Sequence, residues 1–439
     1  MTPGARLAAA IELFAAITAS LAQGGAAAGD VMRAYFRGRR YAGSGDRRAI
    51  GDFVYEILRA RGRLLWAAEE IGLAPSPRGL VLAHLALADA PALHLLGEGG
   101  YAPPALGEAE KAALVRLETL DFTAMPAWAR WNCPAALAAA LESRFGARAE
   151  AQRQALLARA PTDLRVNGAR ATRAAALAAF HRDGIAATPT PFSPHGVRLG
   201  ESVPLDDHPL LREGLVEVQD EGAQLIALGA APQAGETVVD LCAGAGGKTL
   251  ALHALMAGKG RLLACDVDAR RLARLAPRLK RAHAQGVEPR LLPEAGAARA
   301  TALKDLEGDA DCVLVDAPCS GTGTWRRAPD ARWRYDGAAI ARFARLQDAL
   351  LDEAAALLRP GGRLVFATCS LLPQEGEARI EALLARRPGL ALVDPGLSLR
   401  RGGVITVPQS ASFLNPCLLL SPADHGTDGF FIASLRRQD

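Results

Sequence analysis

Apolar residues recur at helical spacing through the first quarter of the chain. One face of the first segment is marked by Leu7, Ile11, Phe14 and Leu21. The segments that follow are rich in Ala and Leu and are separated by "QGGAAAGD", "AGSGD", "APSP" and "GEGGYAPP". Because Gly and Pro interrupt helices, these breaks delimit successive helices. The pattern predicts an all-helical domain over residues 1–125.

The pattern becomes mixed between residues 126 and 210. A helical run, "CPAALAAALESRF", is followed by the short extended run "TDLRVN". A second helix, "RAAALAAFHRDG", precedes a second extended run, "HGVRLGE". We therefore predict a small mixed α+β module over residues 126–210.

Beyond residue 211, short apolar runs alternate with helical segments. The runs are "TVVDLCA", "GRLLACDV", "PRLLPE", "CVLVDAP" and "GRLVFATCS". Continuous apolar runs joined by helices are typical of strands buried on both faces of a parallel sheet. Residues 211–439 are therefore predicted to form an α/β domain with a doubly wound, mostly parallel sheet. A last pair of runs, "LALVD" and "GFFIASLRR", is expected to close one edge of that sheet.

Composition adds few restrictions to this picture. The chain has 439 residues, of which 50% are apolar and 22% charged, and its net charge of +4 neither demands nor excludes a nucleic-acid partner. Its seven cysteines show neither CxxC pairs nor a Cys/His metal pattern. Free thiols in a reducing cytoplasm and no metal site are therefore expected.

Two apolar stretches could be mistaken for targeting or membrane segments. Glu12 interrupts "RLAAAIELFAAITASL", and "GLVLAHLALADAPALHLL" carries His84, Asp89 and Pro91. Both are therefore interpreted as helices of a folded domain, and no membrane insertion is expected. We expect a monomer.

The glycine-rich turn "DLCAGAGGKT", residues 240–249, is compatible with three kinds of nucleotide site. A phosphate-binding P-loop requires glycine where this chain has Cys242, and a dinucleotide fingerprint requires one at Thr249. A methyltransferase cofactor loop is the third possibility. Asp266 ends the next strand, where a carboxylate can bind both ribose hydroxyls. Alternatively, Asp266 has a purely structural role as the N-cap of the helix that begins at "ARRLARL".

Two cysteines follow neighbouring strands of the predicted sheet. Cys319 lies in "VLVDAPCSG" and Cys369 in "FATCS". Since parallel strands end at the same edge of a sheet, the two thiols are expected to face one cleft. Either alone is more often a small buried hydrophobe. Asp316 also fits a magnesium-binding strand end of a nucleotide hydrolase, but that alternative explains neither thiol.

Methylation at carbon 5 of a pyrimidine gives both thiols a role. Carbon 5 becomes nucleophilic only after a group adds to carbon 6, and a base must later remove the carbon 5 proton. A thiolate suits the addition, because deprotonating a thiol of pKa about 8.5 at pH 7 costs only about 2 kcal/mol. Asp316 could stabilise charge that develops on the ring. The residue types alone do not assign the two cysteine roles.

Four motifs resemble those of the RNA cytosine-5 methyltransferases of the RsmB/Fmu and NOP/Sun group. They are "DLCAGAGGKT", "CDVDARRL", "DAPCSGTGTWRRAPDARWR" and "FATCSLLPQEGE", flanked by "VQDEGAQLIAL" and "TDGFFIASL". The resemblance implies a Rossmann-like domain that binds S-adenosylmethionine (SAM). Upstream, "GDRRAIGDFVYEILRARGRLLW" resembles the NusB-type helical RNA-binding domain of the bacterial RsmB branch.

The resemblance also implies roles for individual residues. Cys369 would be the attacking thiolate, Cys319 would assist product release, and Asp316 would lie near the methyl donor and the base. SAM would contact Asp266 through its ribose and Glu294 near its adenine. The cofactor loop would comprise Cys242, Ala243, Gly244, Ala245, Gly246, Gly247 and Lys248. The loop has Gly244-Ala245 where the family usually has Ala-Pro, and Pro293-Glu294 replaces its usual Gly-Asp.

Positive charge is concentrated in two stretches. Residues 33–63 contain nine arginines and three acidic residues, interleaved with aromatic residues, and "TWRRAPDARWRY" follows the Cys319 loop. The candidate RNA-binding residues are Arg39, Arg40, Arg47, Arg48, Arg326, Arg327 and Arg332. A solvated helix face is the alternative for the first stretch. The resemblance implies small-subunit ribosomal RNA as substrate, with the target base unstacked. An RNA-binding assembly factor with a vestigial catalytic domain and a P-loop nucleotide hydrolase are the competing functions.

Overall fold

The computed structural model describes residues 1–201 and 203–438, and the chain divides into two compact units. The helical unit comprises Met1–Ala158 and Trp325–Ala338, and the sheet unit comprises Arg159–Thr324 and Ala339–Asp439. A contiguous N-terminal domain was expected. The second segment of the helical unit is therefore a feature that the hydrophobic pattern did not predict.

The helical unit has one apolar core, which includes Leu13, Phe14, Ile57 and Leu58. Its helices are α1 (Pro3–Ala22), α2 (Ala28–Arg37), α3 (Ser44–Glu70), α4 (Pro77–Ala88), α5 (Glu108–Leu117), α6 (Ala127–Trp131), α7 (Ala135–Phe145) and α8 (Ala149–Leu157). By length and composition α1 is apolar enough to cross a membrane. Its side chains Leu13 and Phe14 are nevertheless fully buried in this core.

Helices α6 to α8 belong to the helical unit, although residues 126–157 were assigned to the small mixed module. Asn132, at the end of α6, explains the difference. Its side-chain amide donates to the carbonyls of Leu58 (2.9 Å) and Arg59 (2.8 Å), and its carbonyl accepts the Gly62 N–H. These bonds fix α6 to α3, and α7 and α8 continue from α6. The two compact units divide after Ala158, and the domain boundary at residue 125 stays a prediction.

The segment Trp325–Ala338 is held in the helical unit by buried polar contacts. Arg332 is 1% exposed and donates to the main-chain carbonyls of Trp131 (3.0 Å) and Leu156. The Asp330 carboxylate accepts the Ala28 N–H at 3.1 Å. Burial lowers the pKa of the Arg332 guanidinium to about 9. Because it is buried and occupied by carbonyls, the prediction that Arg332 contacts RNA is wrong.

The sheet unit begins with a small antiparallel sheet. It contains β1 (Thr162–Val166), β2 (Ala187–Pro189), β3 (Gly196–Leu199) and β4 (Val216–Val218), in the order β2-β3-β1-β4. Helix α9 (Arg173–Arg182) packs Phe180 against Leu164 and Val197. The predicted mixed module is thus present, but β4 extends its sheet beyond the predicted limit at residue 210.

The remaining strands form a larger, mostly parallel sheet. They are β5 (Thr237–Asp240), β6 (Arg261–Asp266), β7 (Val287–Leu291), β8 (Ala310–Asp316), β9 (Leu358–Thr368), β10 (Leu390–Val393), β11 (Leu418–Leu420) and β12 (Phe430–Arg437). The order is β10-β12-β9-β8-β5-β6-β7, with β11 beside β12. β5 to β9 are parallel, and β12 is antiparallel to both β9 and β10. The predicted doubly wound fold and its edge pair are confirmed.

The helices of the sheet unit cover this sheet and carry its connections. After α9 they are α10 (Pro209–Arg212), α11 (Glu221–Ala230), α12 (Gly247–Leu255), α13 (Ala269–Ala273), α14 (Leu275–Ala282), α15 (Gly296–Leu303), α16 (Gly337–Leu357), α17 (Glu377–Arg386), α18 (Pro395–Arg401) and α19 (Pro422–His425). Apolar side chains of α11, α12 and β5 share one core. The carboxyl ends of β5, β6, β8 and β9 consequently lie along one edge, where ligands bind in such folds.

Candidate active site

The glycine turn joins β5 to α12 and has a backbone that other residues rarely adopt. Gly244 has φ 56° and Gly246 has φ 83°. A Cβ atom at Gly246 would lie 2.1 Å from Leu275 Cδ1, whereas one at Gly244 would meet no atom within 4 Å. Gly246 thus allows α14 to pack against the turn, and Gly244 leaves open space beside it. Helix α12 begins at Gly247. The helix dipole and the free N–H groups at its N-terminus favour negative or electron-rich groups there.

Two arginines outside the predicted site hold the turn in place. Arg278 donates to the Ala245 carbonyl at 2.6 Å, and Arg165 donates to the Gly247 carbonyl at 2.7 Å. The Glu217 carboxylate pairs with Arg278 at 2.9 Å. Sequence reasoning missed these residues, because Arg165 and Glu217 lie in the small antiparallel sheet. Fixed carbonyls leave the turn preorganised for a ligand.

Two carboxylates lie beside the turn. Asp266 accepts the N–H groups of Gly244 (2.7 Å) and Asp268 (2.8 Å). Asp268, not Asp266, caps the following helix. Asp240 accepts the Thr249 hydroxyl at 2.7 Å through one oxygen, and its buried Oδ1 has no hydrogen-bond partner among the described residues. Burial raises the pKa of the Asp240 carboxyl to about 7.

These features fit SAM. The open space at Gly244, the unpartnered Oδ1 of Asp240 and the carboxylate of Asp266 provide room and acceptors for its ribose and amino groups. Cys242 borders the same carboxylates, and burial, followed by the charges of Asp240 and Asp316, raises the pKa of its thiol well above the usual value. Glu294 is exposed in the loop after β7. Its contact with adenine stays a prediction.

The two cysteines meet at the ends of β8 and β9. The Sγ atoms of Cys319 and Cys369 are 3.3 Å apart. The strands pair in parallel with Asp316 opposite Ala367, and the Gly323 N–H donates to the Cys369 carbonyl at 2.9 Å. The hydrogen bond to Cys369, burial, and the charges of Cys369 and Glu375 raise the pKa of the Cys319 thiol well above the usual value. Cys319 is therefore the thiol that keeps its proton, and its Sγ lies within hydrogen-bonding distance of Cys369 Sγ.

A partly buried ion pair lies next to the thiols. The Lys248 ammonium is 2.5 Å from the Asp316 carboxylate. Burial alone would lower the pKa of the Lys248 ammonium. Its ion pair with Asp316 and the charges of Asp240 and Cys369 outweigh burial, so that this pKa is raised. Lys248 is therefore held as a cation, and its ammonium lies near Cys369 as well as Asp316. The ion pair also links the glycine turn to the end of β8.

A hydrogen-bond network that sequence reasoning missed surrounds Glu375. This carboxylate is fully buried and accepts the Ser320 N–H at 2.9 Å, the Ser370 hydroxyl at 2.6 Å and the Ser320 hydroxyl. Burial raises the pKa of Glu375, and the hydrogen bonds from Ser320 and Ser370 oppose the shift. Each serine directly follows one of the two cysteines.

The candidate RNA-binding arginines of residues 33–63 are on the surface but partly engaged. Arg39 pairs with Glu12 at 2.9 Å and stacks on Tyr35, whose ring centroid is 3.7 Å from the guanidinium carbon. Arg47 donates to the Ala42 carbonyl, Arg48 lies 3.9 Å from Asp52, and Arg40 is exposed. In the second stretch Arg326 is buried and Arg327 is exposed. The contacts of these arginines with RNA stay predictions. For Arg326, burial disfavours such a contact.

The helical unit contains a basic pocket that the sequence did not reveal. Its volume is about 450 Å³, and it is lined by Arg59, Arg63, Arg130 and Arg153 together with Phe122, Met125, Leu157, Asn132, Ala60 and Ala129. No carboxylate is among these lining residues. The Arg63 guanidinium carbon lies 4.4 Å from the Phe122 ring centroid. Burial lowers the pKa of Arg63. The pocket therefore combines four arginines with an aromatic wall, although Arg130 and Arg153 also pair with Glu142 and Glu150.

Comparisons with known proteins place the chain among methyltransferases. A family described as 16S rRNA methyltransferase RsmB/F matches residues 227–436, and one described as the RsmF/B-like ferredoxin-like domain matches residues 133–206. Ribosomal RNA small subunit methyltransferase B of Salmonella arizonae is 40% identical over 278 residues, which cover 63% of this chain and 60% of that protein. The chain thus matches about 60% of the length of such curated relatives.

Two solved structures share the fold of this chain. The crystal structure of PH0851 superposes with a TM-score of 0.77 at 25% identity and covers 100% of this chain and 99% of its own. A methyltransferase homologue from Pyrococcus horikoshii gives a TM-score of 0.60 at 26% identity, covering 72% of this chain and 100% of its own.

Proposed function

Because the chain belongs to the RsmB/F family of methyltransferases, whose cofactor is SAM, we propose that it methylates carbon 5 of a cytosine in small-subunit ribosomal RNA. The observation that carries this proposal is the pair of Sγ atoms 3.3 Å apart beside the Lys248–Asp316 ion pair. Two thiols so placed supply both a nucleophile and a helper for elimination.

The structure supports Cys369 as the nucleophile. Cys319 retains its proton, and the Lys248 cation lies close enough to influence charge at Cys369. In the proposed reaction the Cys369 thiolate forms a bond to carbon 6 of the cytosine, and the electron pair of the 5,6 double bond moves into the ring. Asp316 stabilises this charge through ring N3 or the exocyclic amine.

SAM, when bound along residues 242–248 and Asp266, supplies the methyl group that carbon 5 receives. A base then removes the carbon 5 proton, the 5,6 double bond reforms, and the bond between Cys369 Sγ and carbon 6 breaks. Cys319 assists this release, since its Sγ is the sulfur adjacent to Cys369. The enzyme is thereby returned with Cys369 as a thiolate.

Mapping 5-methylcytosine in ribosomal RNA from cells with and without this protein tests the function. Loss of the modification at one small-subunit position supports it. An unchanged map, with no transfer of labelled methyl groups by the purified protein, would favour the alternative of an assembly factor with a vestigial catalytic domain. The P-loop hydrolase alternative has no support, because Lys248 is engaged by Asp316 and the family match accounts for the turn.

The basic pocket of the helical unit is proposed to bind an RNA phosphate, with a base against Phe122. We expect the double variant Arg63→Glu/Arg130→Glu to weaken RNA binding about 10-fold and to reduce the slope of log affinity against log salt by about 1 to 2. Filter binding or fluorescence anisotropy across a salt series measures both quantities. SAM affinity should not change.

A matched control reverses the same number of charges outside the pocket. Arg359 and Lys111 are exposed members of ion pairs with Asp311 and Glu108. The variant Arg359→Glu/Lys111→Glu should leave the salt slope near that of the wild type. Equal losses in both double variants would show that net charge, not the pocket, sets RNA affinity.

A further inference from the structure

Glu375 connects the two segments that carry the thiols. Its carboxylate receives the main-chain N–H of Ser320 at 2.9 Å and the hydroxyl of Ser370 at 2.6 Å. These serines are bonded through the chain to Cys319 and Cys369, respectively. Glu375 itself follows Cys369 by six residues and is fully buried. A single side chain thus joins the loop after β8 to the loop after β9.

We propose that Glu375 is a positioning residue that keeps Cys319 Sγ within hydrogen-bonding distance of Cys369 Sγ by clamping Ser320 and Ser370. Its consequence for catalysis rests on the proposed function, whereas its effect on the distance between the thiols does not.

The chemistry of the clamp favours a carboxylate over a neutral group. An ionised carboxylate only accepts hydrogen bonds, and all three of its contacts with Ser320 and Ser370 come from N–H or O–H donors. Hydrogen bonds to a charged acceptor are roughly twice as strong as neutral ones. A glutamine would keep one acceptor oxygen but would point an NH₂ group at hydroxyls that now donate. The Ser320 and Ser370 hydroxyls would then have to accept a hydrogen bond instead of donating one.

The neighbouring polar groups depend on the same carboxylate. The Ser370 hydroxyl lies 3.3 Å from that of Ser320 and 3.2 Å from that of Thr322, and it also accepts the Leu372 N–H at 3.1 Å. The Thr322 hydroxyl in turn accepts the Leu371 N–H at 2.8 Å. Since the serine hydroxyls donate to Glu375, the network converges on one buried acceptor. Its loss leaves buried donors without a partner, which networks of this kind tolerate poorly.

Disulfide formation measures the distance between the thiols without RNA or SAM. Diamide oxidises two adjacent thiols to a disulfide and takes up the two electrons and two protons as its hydrazine. In the wild-type protein, Cys319 and Cys369 should form this bond rapidly, because their Sγ atoms are already in contact. We expect Glu375→Gln to slow formation of the Cys319–Cys369 disulfide about 10-fold, as effective concentration falls steeply with misplacement. Peptide mapping by mass spectrometry identifies the bond among the seven cysteines.

Glu377→Gln is the matched control. Glu377 is also buried, but it accepts the Ser412 hydroxyl at 2.7 Å instead of contacting the serines beside the thiols. This variant should form the disulfide at the wild-type rate. A wild-type rate in Glu375→Gln would overturn the proposal, and so would equal slowing in both variants, since that indicates general loosening.

The proposed role of Glu375 in catalysis predicts a separate effect on the kinetic constants. Glu375→Gln should lower kcat for RNA methylation about 10- to 100-fold, because a misplacement of about 1 Å can cost 10²-fold. The KM for RNA and the Kd for SAM should stay within about twofold, because Glu375 contacts neither ligand site. An unchanged kcat would overturn its part in catalysis. If the wild-type protein methylated no RNA, the proposed function would fail, while the disulfide comparison would still decide whether Glu375 positions the thiols.

Discussion

Replacing Cys369 with alanine should abolish RNA methylation while leaving SAM binding intact. Without the thiolate no bond to carbon 6 can form, and carbon 5 stays a poor nucleophile. Loss of a covalent nucleophile typically costs at least about 10³-fold in kcat. Transfer of labelled methyl groups from SAM to small-subunit RNA measures the rate, and calorimetry measures SAM affinity.

Cys417→Ala controls for the loss of a thiol. Cys417 is buried outside the candidate site, beside β11. This variant should methylate RNA at close to the wild-type rate. Methylation by Cys369→Ala at a rate similar to that of the control would rule out Cys369 as the nucleophile.

Replacing Cys319 with alanine should trap the protein on its RNA. Cys369 can still add to carbon 6, but release of the methylated base loses its helper. General acid–base assistance typically contributes about 10²- to 10⁴-fold, so turnover should fall by that order while the adduct accumulates. A band of protein–RNA complex that survives denaturing gel electrophoresis measures the adduct. The double variant Cys319→Ala/Cys369→Ala should lack that band, and a persistent band would contradict the assigned roles.

The strand ends were predictable, because their signals are local and mutually consistent. Three of the apolar runs beyond residue 211 end at or beside a chemically active residue, namely Asp266, Asp316 and Cys369. Parallel topology then brings these ends to one edge, so the proximity of Cys319 and Cys369 followed from connectivity alone. The order of their roles did not. The proposed order rests on the positions of Lys248 and Glu375 near the two thiols, which only the tertiary structure gives.

Tertiary contacts decide the features that sequence reasoning missed. Glu375 lies in "PQEGE", a polar run typical of a solvated loop, and only its contacts with Ser320 and Ser370 show that it is buried. The arginines and aromatic residues of "TWRRAPDARWRY" have the composition of an RNA-binding surface. Arg332 instead binds carbonyls inside the helical unit, because an arginine has enough donors to satisfy several main-chain acceptors at once.

The covalent bond between Cys369 and the target base is the central claim, and mass spectrometry can locate it. RNA carrying 5-fluorocytosine at the target position should halt the reaction after methyl transfer, because carbon 5 then has no proton to release. After nuclease and protease digestion, we predict one nucleotide, methylated at carbon 5, attached to the peptide that contains Cys369. A nucleotide attached to Cys319, or no attached nucleotide while methylation of normal RNA proceeds, would contradict the mechanism.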